Sequence, residues 1–285
     1  MCPERTVEGK AVEELTHLPQ IISGNNERSL EIAQNVFRKI TPYVIPVDSL
    51  EEAELIKLYC NTYRDMTFAM GNAFCMAAQL FGVDGVRAIQ HTNQGYSRAN
   101  IAIPGFVAGP CLEKDAYILT NNMPDCASKN FILAARKFNE SMEDFVVDWI
   151  DEHVGRSNNK PVVLSGLAFK GNPETSDLRG SSGVYIAKKL HALGYSLRLH
   201  DFVAHPDELK ALGLGEHAGD LHKACEGAAA LCILNNHKKY SVFSPSDTVM
   251  KNDFPILDTW GVCTELGISG KQPYQTLGNI LMKGF

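Results

Sequence analysis

A lone cysteine at position 111 has the surroundings of a reactive thiol. Cys111 follows a stretch rich in glycine and proline and lies three residues before Lys114 and four before Asp115. A thiol beside a cation ionises more readily and can act as a nucleophile. A buried structural cysteine in a tight turn is the alternative, and the segment by itself favours neither interpretation.

Two polar residues interrupt a long apolar stretch upstream. Lys57 and Asn61 are four positions apart, which places them on one face of a predicted helix. A lysine is costly to bury in such a helix unless it is paired or used in chemistry. A lysine that snorkels to solvent beside an exposed or capped asparagine is the alternative.

A third candidate segment is the predicted strand-to-helix turn LSGLAFKGNPETSDLRGSSG (164–183). It places Lys170 and Arg179 in the turn, with Ser181 and Ser182 at the start of the helix, a favourable position for phosphate oxygens. The segment is neither a Walker A motif nor a G-x-G-x-x-G turn. A turn with ordinary solvated charges is the alternative.

The elements that must position these residues follow from the hydrophobic pattern. Residues 19–24 and 42–47 are predicted strands joined by a helix over 27–40, with Asn26 as its N-cap, and together they form one βαβ unit. Parallel strands are normally buried on both faces, which a single unit cannot achieve. The chain is therefore expected to begin in the middle of a domain.

Two long helices are predicted next, over 50–81 and 127–154, on either side of a loop-rich stretch over 91–126. The first helix is apolar on most sides, which is typical of a core or interface helix. We therefore expect oligomerisation, most simply as a two-fold homodimer.

The last part of the chain alternates short β-rich runs with helices, which predicts a doubly wound α/β domain with a parallel sheet. Ligands bind beyond the carboxyl ends of the strands in such sheets. The predicted strands cover 161–166, 196–201, 229–234 and 254–259, and the predicted helices cover 181–193 and 219–226.

Composition excludes several classes of function. The 285 residues include 27 basic and 33 acidic residues, so a net charge of -6 gives no general attraction to nucleic acid or to an anionic membrane. The sequence has no transmembrane-length apolar window and no recognisable secretory signal, so a cytoplasmic location is expected. The eight cysteines and nine histidines lack disulfide-scaffold and metal-ligand spacing, which predicts free thiols and no metal site.

Four segments in order and in register resemble the UDP-glucose/GDP-mannose dehydrogenase family, specifically its UDP-N-acetylhexosamine 6-dehydrogenase branch. They are CPERTVEG (2–9), EEAELIKLYCNTYRD (51–65), YSRANIAIPGFVAGPCLEKDAYIL (96–119) and the turn over 164–183. The resemblance implies NAD-dependent oxidation of a sugar C6 alcohol to a carboxylate through a cysteine thioester. It also implies a UDP-sugar as the substrate.

The resemblance assigns catalytic roles to five residues. Cys111 would be the nucleophile, Lys57 would stabilise the developing oxyanion, and Asn61 would orient the lysine and water. Asp115 would help to activate water. Glu4 matches the acidic residue of the family near the transferring oxygen.

The resemblance also implies residues that bind ligands. Arg98 would reach across a dimer to the neighbouring substrate, while Phe106 and Gly109 would line the sugar pocket. Lys170 would hold the UDP, and Lys114 and Arg179 would lie on the cofactor side.

Two features depart from the family pattern. In the family, the G-x-G-x-x-G fingerprint that binds NAD lies in the amino-terminal domain. No G-x-G-x-x-G follows a predicted strand in this sequence. The family usually has arginine at the end of a D-x-R turn on the final strand, and Trp260 occupies that position here. Tryptophan cannot pair with an anion.

We therefore expect three domains: a remnant of the NAD-binding domain (1–48), a helical central dimerisation domain (49–155) and a UDP-sugar-binding α/β domain (156–285). The chain is expected to be inactive alone. A non-catalytic dimerisation or regulatory paralogue that pairs with a full-length dehydrogenase is the alternative.

Overall fold

The computed structural model describes residues 1–156, 159–244, 254–263 and 273–280. The chain divides into two compact units. The first contains Met1–Arg64 and Lys114–Leu133, and the second contains Asp65–Glu113 and Ala134–Phe285. The three domain ranges expected from the sequence stay a prediction.

The first compact unit contains a parallel βαβ motif near the amino end of the chain. Strand β1 (Gln20–Ile22) pairs with β2 (Val44–Pro46), and α2 (Glu27–Phe37) connects them. Asn26 caps α2 as predicted, because its side chain accepts a hydrogen bond from the backbone of Ser29 at 2.8 Å. A short helix, α1 (Ala11–His17), precedes this motif and was not predicted.

Two long helices confirm the predicted helical centre. They are α3 (Leu50–Leu80) and α6 (Ala127–His153). The predicted loop between them is wrong in part, because α4 (Gly85–Asn93) extends into it and α5 (Leu112–Thr120) lies within it. A nine-residue helix such as α5 is marginal by itself and depends on burial of one face, which the Gly- and Pro-rich sequence before it does not reveal. Within the described ranges, no helix is long and apolar enough to cross a membrane.

A parallel sheet with six strands among the described residues forms the centre of the second unit. The strands are β3 (Val162–Ser165), β4 (Leu197–His200), β5 (Glu216–His217), β6 (Ala230–Ile233), β7 (Ile256–Asp258) and β8 (Tyr274–Thr276). Their order across the sheet is β5-β4-β3-β6-β7-β8. The helices after them are α7 (Ser182–Ala192), α8 (Pro206–Ala211) and α9 (Leu221–Cys225), followed by a 3-10 helix (Lys238–Val242).

Alternate residues of β3 enter two separate cores, so the sheet is covered on both faces. Val162 and Leu164 pack in one core with residues of α6 and α7. Val163 packs in the other with residues of α9 and Tyr240. This arrangement confirms the predicted doubly wound sheet, and it places the loop with Lys170 beyond the carboxyl end of β3.

Candidate functional site

Five predicted site residues lie in the first unit, where two of them form a buried pair. Asn61 on α3 donates a hydrogen bond from Nδ2 to Oδ2 of Asp115 on α5 at 2.6 Å. These two residues are only 9 % and 4 % exposed. The other carboxylate oxygen of Asp115 lies 3.2 Å from Nζ of Lys114. These contacts hold the carboxylate of Asp115 in one orientation, as a general base requires.

Lys57 lies one turn before Asn61 on α3 and approaches the amino-terminal segment. Its Nζ is 4.0 Å from Oε2 of Glu4, and its side chain is half-buried. Glu4 also accepts hydrogen bonds from the backbone N–H and the hydroxyl of Thr6. Two residues chosen from separate motifs therefore face each other, although a half-buried lysine also fits the snorkelling alternative.

Cys111 belongs to the second unit and immediately precedes α5. Its side chain is exposed, which excludes the interpretation as a buried structural cysteine. All eight cysteines are free thiols, and four of them are buried. Burial raises the pKa of Cys75 and of Cys225 to about 12, so these two thiols stay protonated and unreactive. Cys111 is thus accessible to a ligand where the buried thiols are not.

A fully buried arginine fixes the backbone on both sides of Cys111. Arg136 on α6 donates from Nη1 to the carbonyl of Leu112 at 3.1 Å and from Nη2 to the carbonyl of Val107 at 3.4 Å. The charge of Arg136 is balanced by Asp65 on α3, whose Oδ1 lies 2.7 Å from Nη1. Burial raises the pKa of Asp65, and the nearby guanidinium opposes that shift. The sequence analysis missed this pair because nothing in the local pattern distinguishes a buried arginine from an exposed one.

Two asparagines complete the same buried network. Asn72 on α3 accepts a hydrogen bond from Gly105 N at 2.9 Å and donates one to Gly105 O at 3.0 Å. Asn139 on α6 accepts from Asn72 Nδ2 at 3.0 Å and donates to Asp65 Oδ1 at 2.8 Å. Polar side chains of α3 and α6 therefore hold the segment from Gly105 to the start of α5, which contains no helix or strand before Leu112.

Gly109 and the loop with Lys170 meet through the ring of Phe169. Gly109 has a φ of +101°, and a Cβ there would lie 2.8 Å from the Phe169 ring. Gly109 N also donates to Gly180 O at 2.8 Å. Nζ of Lys170 lies 5.0 Å from the centre of the Phe169 ring. Only glycine allows this approach, and the sequence analysis missed Phe169 although it directly precedes Lys170.

Phe106, expected to line the sugar pocket, and Arg98, expected to reach the substrate of a neighbouring subunit, have different surroundings. Phe106 is 7 % exposed and packs in the core shared with α6 and α7. Arg98 is exposed, and its guanidinium lies 4.8 Å from the centre of the Tyr96 ring. Their proposed roles stay predictions.

Trp260 follows β7 and packs against Gly105. A Cβ on Gly105 would lie 2.5 Å from Cη2 of the indole, so a larger residue at 105 would displace the ring. The indole Nε1 donates to the carbonyl of Leu234 at 3.2 Å. Trp260 therefore closes the space over Gly105 and supplies no positive charge.

The turn before α7 contains an ion pair between two of its own residues. Arg179 is largely exposed and its Nη2 lies 2.7 Å from Oδ2 of Asp177. The hydrogen bond from Arg179 lowers the pKa of Asp177. Ser181 caps α7, accepting from Gly183 N at 3.1 Å and donating to Leu167 O at 2.6 Å. The hydroxyl of Ser181, which the sequence predicts as a phosphate contact, is thus buried and already forms hydrogen bonds with the backbone.

Glu143 on α6 is a titratable residue that the sequence analysis did not select. It forms a side-chain hydrogen bond with Ser182 at the start of α7. Burial raises the pKa of Glu143 to about 7, against the lowering effect of that bond. Both serines of the turn are therefore engaged with protein groups.

Comparisons with known proteins match the two parts of this chain separately. The sequence model for the central domain of the UDP-glucose/GDP-mannose dehydrogenase family matches residues 51–141. The model for the UDP binding domain of the same family matches residues 163–265.

Curated relatives and solved structures agree with these matches. UDP-N-acetyl-D-mannosamine dehydrogenase from Methanocaldococcus jannaschii is 32 % identical, over 90 % of this chain and 58 % of its own length. NDP-N-acetyl-D-galactosaminuronic acid dehydrogenase from Ralstonia solanacearum is 28 % identical, over 92 % of this chain and 60 % of its own length. The structure of UDP-D-ManNAc dehydrogenase from Pyrococcus horikoshii is 26 % identical with a TM-score of 0.82, over 98 % of this chain and 64 % of that chain. The chain thus spans less than two thirds of the length of these relatives.

Proposed function

This chain belongs to the UDP-glucose/GDP-mannose dehydrogenase family, and from that premise we propose that it is the central and UDP-binding portion of a nucleotide-sugar 6-dehydrogenase. Its substrate class is a UDP-N-acetylhexosamine, a proposal that the names of the relatives support. The observation that carries the proposal is the position of Lys170 beyond the carboxyl end of β3, on the loop that packs against Gly109 through Phe169. A lysine there can neutralise a diphosphate.

Cys111 is the proposed nucleophile of the oxidation. Its thiolate adds to the C6 carbon of an aldehyde, forming a carbon–sulfur bond while the aldehyde oxygen takes a proton. Loss of a hydride and a proton from this adduct, with NAD as the hydride acceptor in the family, would give a thioester. Attack of water on the thioester carbon would then break the carbon–sulfur bond, restore the thiolate and release the carboxylate. Asp115, held by Asn61, is the proposed base that accepts the proton of water. Lys57 and Glu4 are proposed to act on the reacting oxygen.

The residues of this chain do not fit a whole NAD molecule. NAD supplies hydride acceptance in the family, and the sequence has no G-x-G-x-x-G turn to hold its pyrophosphate. Arg179 and Lys114 offer exposed cations that can contact part of a cofactor. We therefore propose that this chain alone does not reduce NAD. Turnover of a UDP-sugar with NAD that disappears in Cys111→Ala would overturn this part of the proposal.

The proposed assembly is a homodimer through α3. An exposed apolar stripe runs along this helix, formed by Leu55, Tyr59, Tyr63, Met70 and Phe74. Their spacing of four and seven places them on one face, as in helices that pack against a partner. Arg98 is proposed to reach the substrate of the other subunit in this dimer. A monomer mass in sedimentation equilibrium would contradict the dimer.

A cytoplasmic location is part of the proposal. It rests on the sequence, whose eight cysteines are too sparse for a disulfide scaffold and are typical of a protein from a reducing compartment.

Replacing Lys170 by alanine is expected to weaken the binding of UDP by about 10- to 100-fold, the range for loss of a hydrogen bond to a charged group. Titration calorimetry with UDP and with UDP-N-acetylhexosamines measures the effect.

The matched control is Lys188→Ala, which removes an exposed lysine from α7 of the same unit. Its affinity for UDP should stay within about twofold of the unchanged protein, since surface charges far from a ligand contribute little. Absence of binding by the unchanged protein, or equal losses in both variants, would contradict the proposed function.

A further inference from the structure

The loop that carries Lys170 rests on the turn that follows the neighbouring strand. Strands β3 and β6 are adjacent and parallel, with Ser165 paired to Ile233, so the segments after them leave the sheet at the same edge. Oδ1 of Asn236 in the second segment accepts hydrogen bonds from Gly171 N and Asn172 N, each at 3.0 Å. One side-chain oxygen therefore binds the two peptide groups that directly follow Lys170.

The two segments also touch backbone to backbone. A Cβ on Gly171 would lie 2.1 Å from N and 2.4 Å from Cα of His237. No larger residue fits between the two chains, so the loop cannot approach this closely with anything but glycine at 171. The contact leaves the backbone of Gly171 little freedom beside Asn236.

A second side-chain contact between the two segments lies further along the loop. Lys239 N donates to Nδ1 of His237 at 3.1 Å, so Nδ1 is an acceptor and the neutral ring carries its proton on Nε2. That Nε2 lies 3.2 Å from Oε1 of Glu174. Burial lowers the pKa of His237, which agrees with a neutral ring. Lys238 approaches the same carboxylate oxygen at 3.5 Å.

We propose that Asn236 is a positioning residue for Lys170, fixing the backbone after the lysine so that its ammonium is set in place for the diphosphate of a nucleotide. The inference rests on the proposed function, because it assumes that Lys170 binds UDP. Asn236 acts through the loop, because it restricts the backbone around Lys170 before the nucleotide binds. Less conformational entropy is then lost on binding, so the affinity for the nucleotide is higher.

The test is a double-mutant cycle between Asn236→Ala and Lys170→Ala, with the dissociation constant of UDP measured by calorimetry. Asn236→Ala is expected to weaken UDP binding about tenfold, in line with two lost backbone hydrogen bonds. The same change in the Lys170→Ala background is expected to add less than about twofold, since the residue acts through the lysine. Asn122→Ala, which removes an exposed asparagine of the first unit, should leave the affinity unchanged.

A second variant separates positioning from a loss of folding. Asn236→Asp keeps an acceptor for both N–H groups, so the amides of Gly171 and Asn172 should exchange slowly in it and faster in Asn236→Ala. Unchanged affinity in Asn236→Ala, or losses that add fully to that of Lys170→Ala, would overturn the inference and leave the proposed function standing. Failure of the unchanged protein to bind UDP would overturn both.

Discussion

Replacing Arg136 by methionine is expected to lower the free energy of unfolding by about 3 to 5 kcal/mol, the range for removing one member of a buried ion pair. The variant leaves the carboxylate of Asp65 buried without its partner and removes two hydrogen bonds to the backbone around Cys111. Urea unfolding followed by circular dichroism measures the loss.

Two further variants show whether the buried charge is responsible. Arg156→Met removes an exposed arginine that pairs with Asp151, and little change in stability is expected there. Adding Asp65→Leu to Arg136→Met removes both charges and should recover part of the loss. If Arg136→Met were as stable as Arg156→Met, the network would not support the segment that carries Cys111.

Acidification from pH 7 to pH 4 is expected to cost about 3 kcal/mol of stability through His200 alone. His200 is 2 % exposed, and burial lowers its pKa from 6.5 to about 4. Its Nδ1 lies 2.8 Å from the hydroxyl of Ser165, which also bonds the hydroxyl of Tyr240 at 2.7 Å. The neutral ring can accept from Ser165, and a protonated ring cannot.

The sign follows from the order of protonation. The unfolded chain binds a proton on His200 near pH 6.5, whereas the folded chain does so only near pH 4, so stability falls as the pH falls through that window. Glu143 acts in the opposite direction, because its raised pKa of about 7 lets the folded chain hold a proton that the unfolded chain has released. Its contribution is lost as the pH rises from about 4.5 through 7.

A variant isolates the contribution of His200 from that of Glu143. In His200→Gln, the loss of stability between pH 7 and pH 4 should shrink by about 3 kcal/mol relative to the unchanged protein. His91→Gln, at an exposed position on α4, is the matched control and should leave the pH dependence unaltered. Parallel curves for the unchanged protein and His200→Gln would contradict the prediction.

Strands β3, β4, β6 and β7, helices α7 and α9 and the two long helices could be predicted because their signals are local, whereas β5, β8 and α8 were not predicted. Strands such as β3 are continuous apolar runs, since a parallel strand is buried on both faces. Asn26 shows its capping role within four residues of sequence. Short elements such as α5 were missed, because their stability comes from contacts that a nine-residue pattern does not contain.

The sequence by itself determined which residue types are present, and by resemblance it selected Cys111, Asn61, Asp115 and Lys170. Only the tertiary structure decided what these residues touch. Asn61 meets Asp115 across 54 positions, and Asn236 meets Gly171 across 65. Such pairs depend on how distant elements pack, and residue spacing along a chain carries no information about that packing beyond a helical turn or a strand repeat.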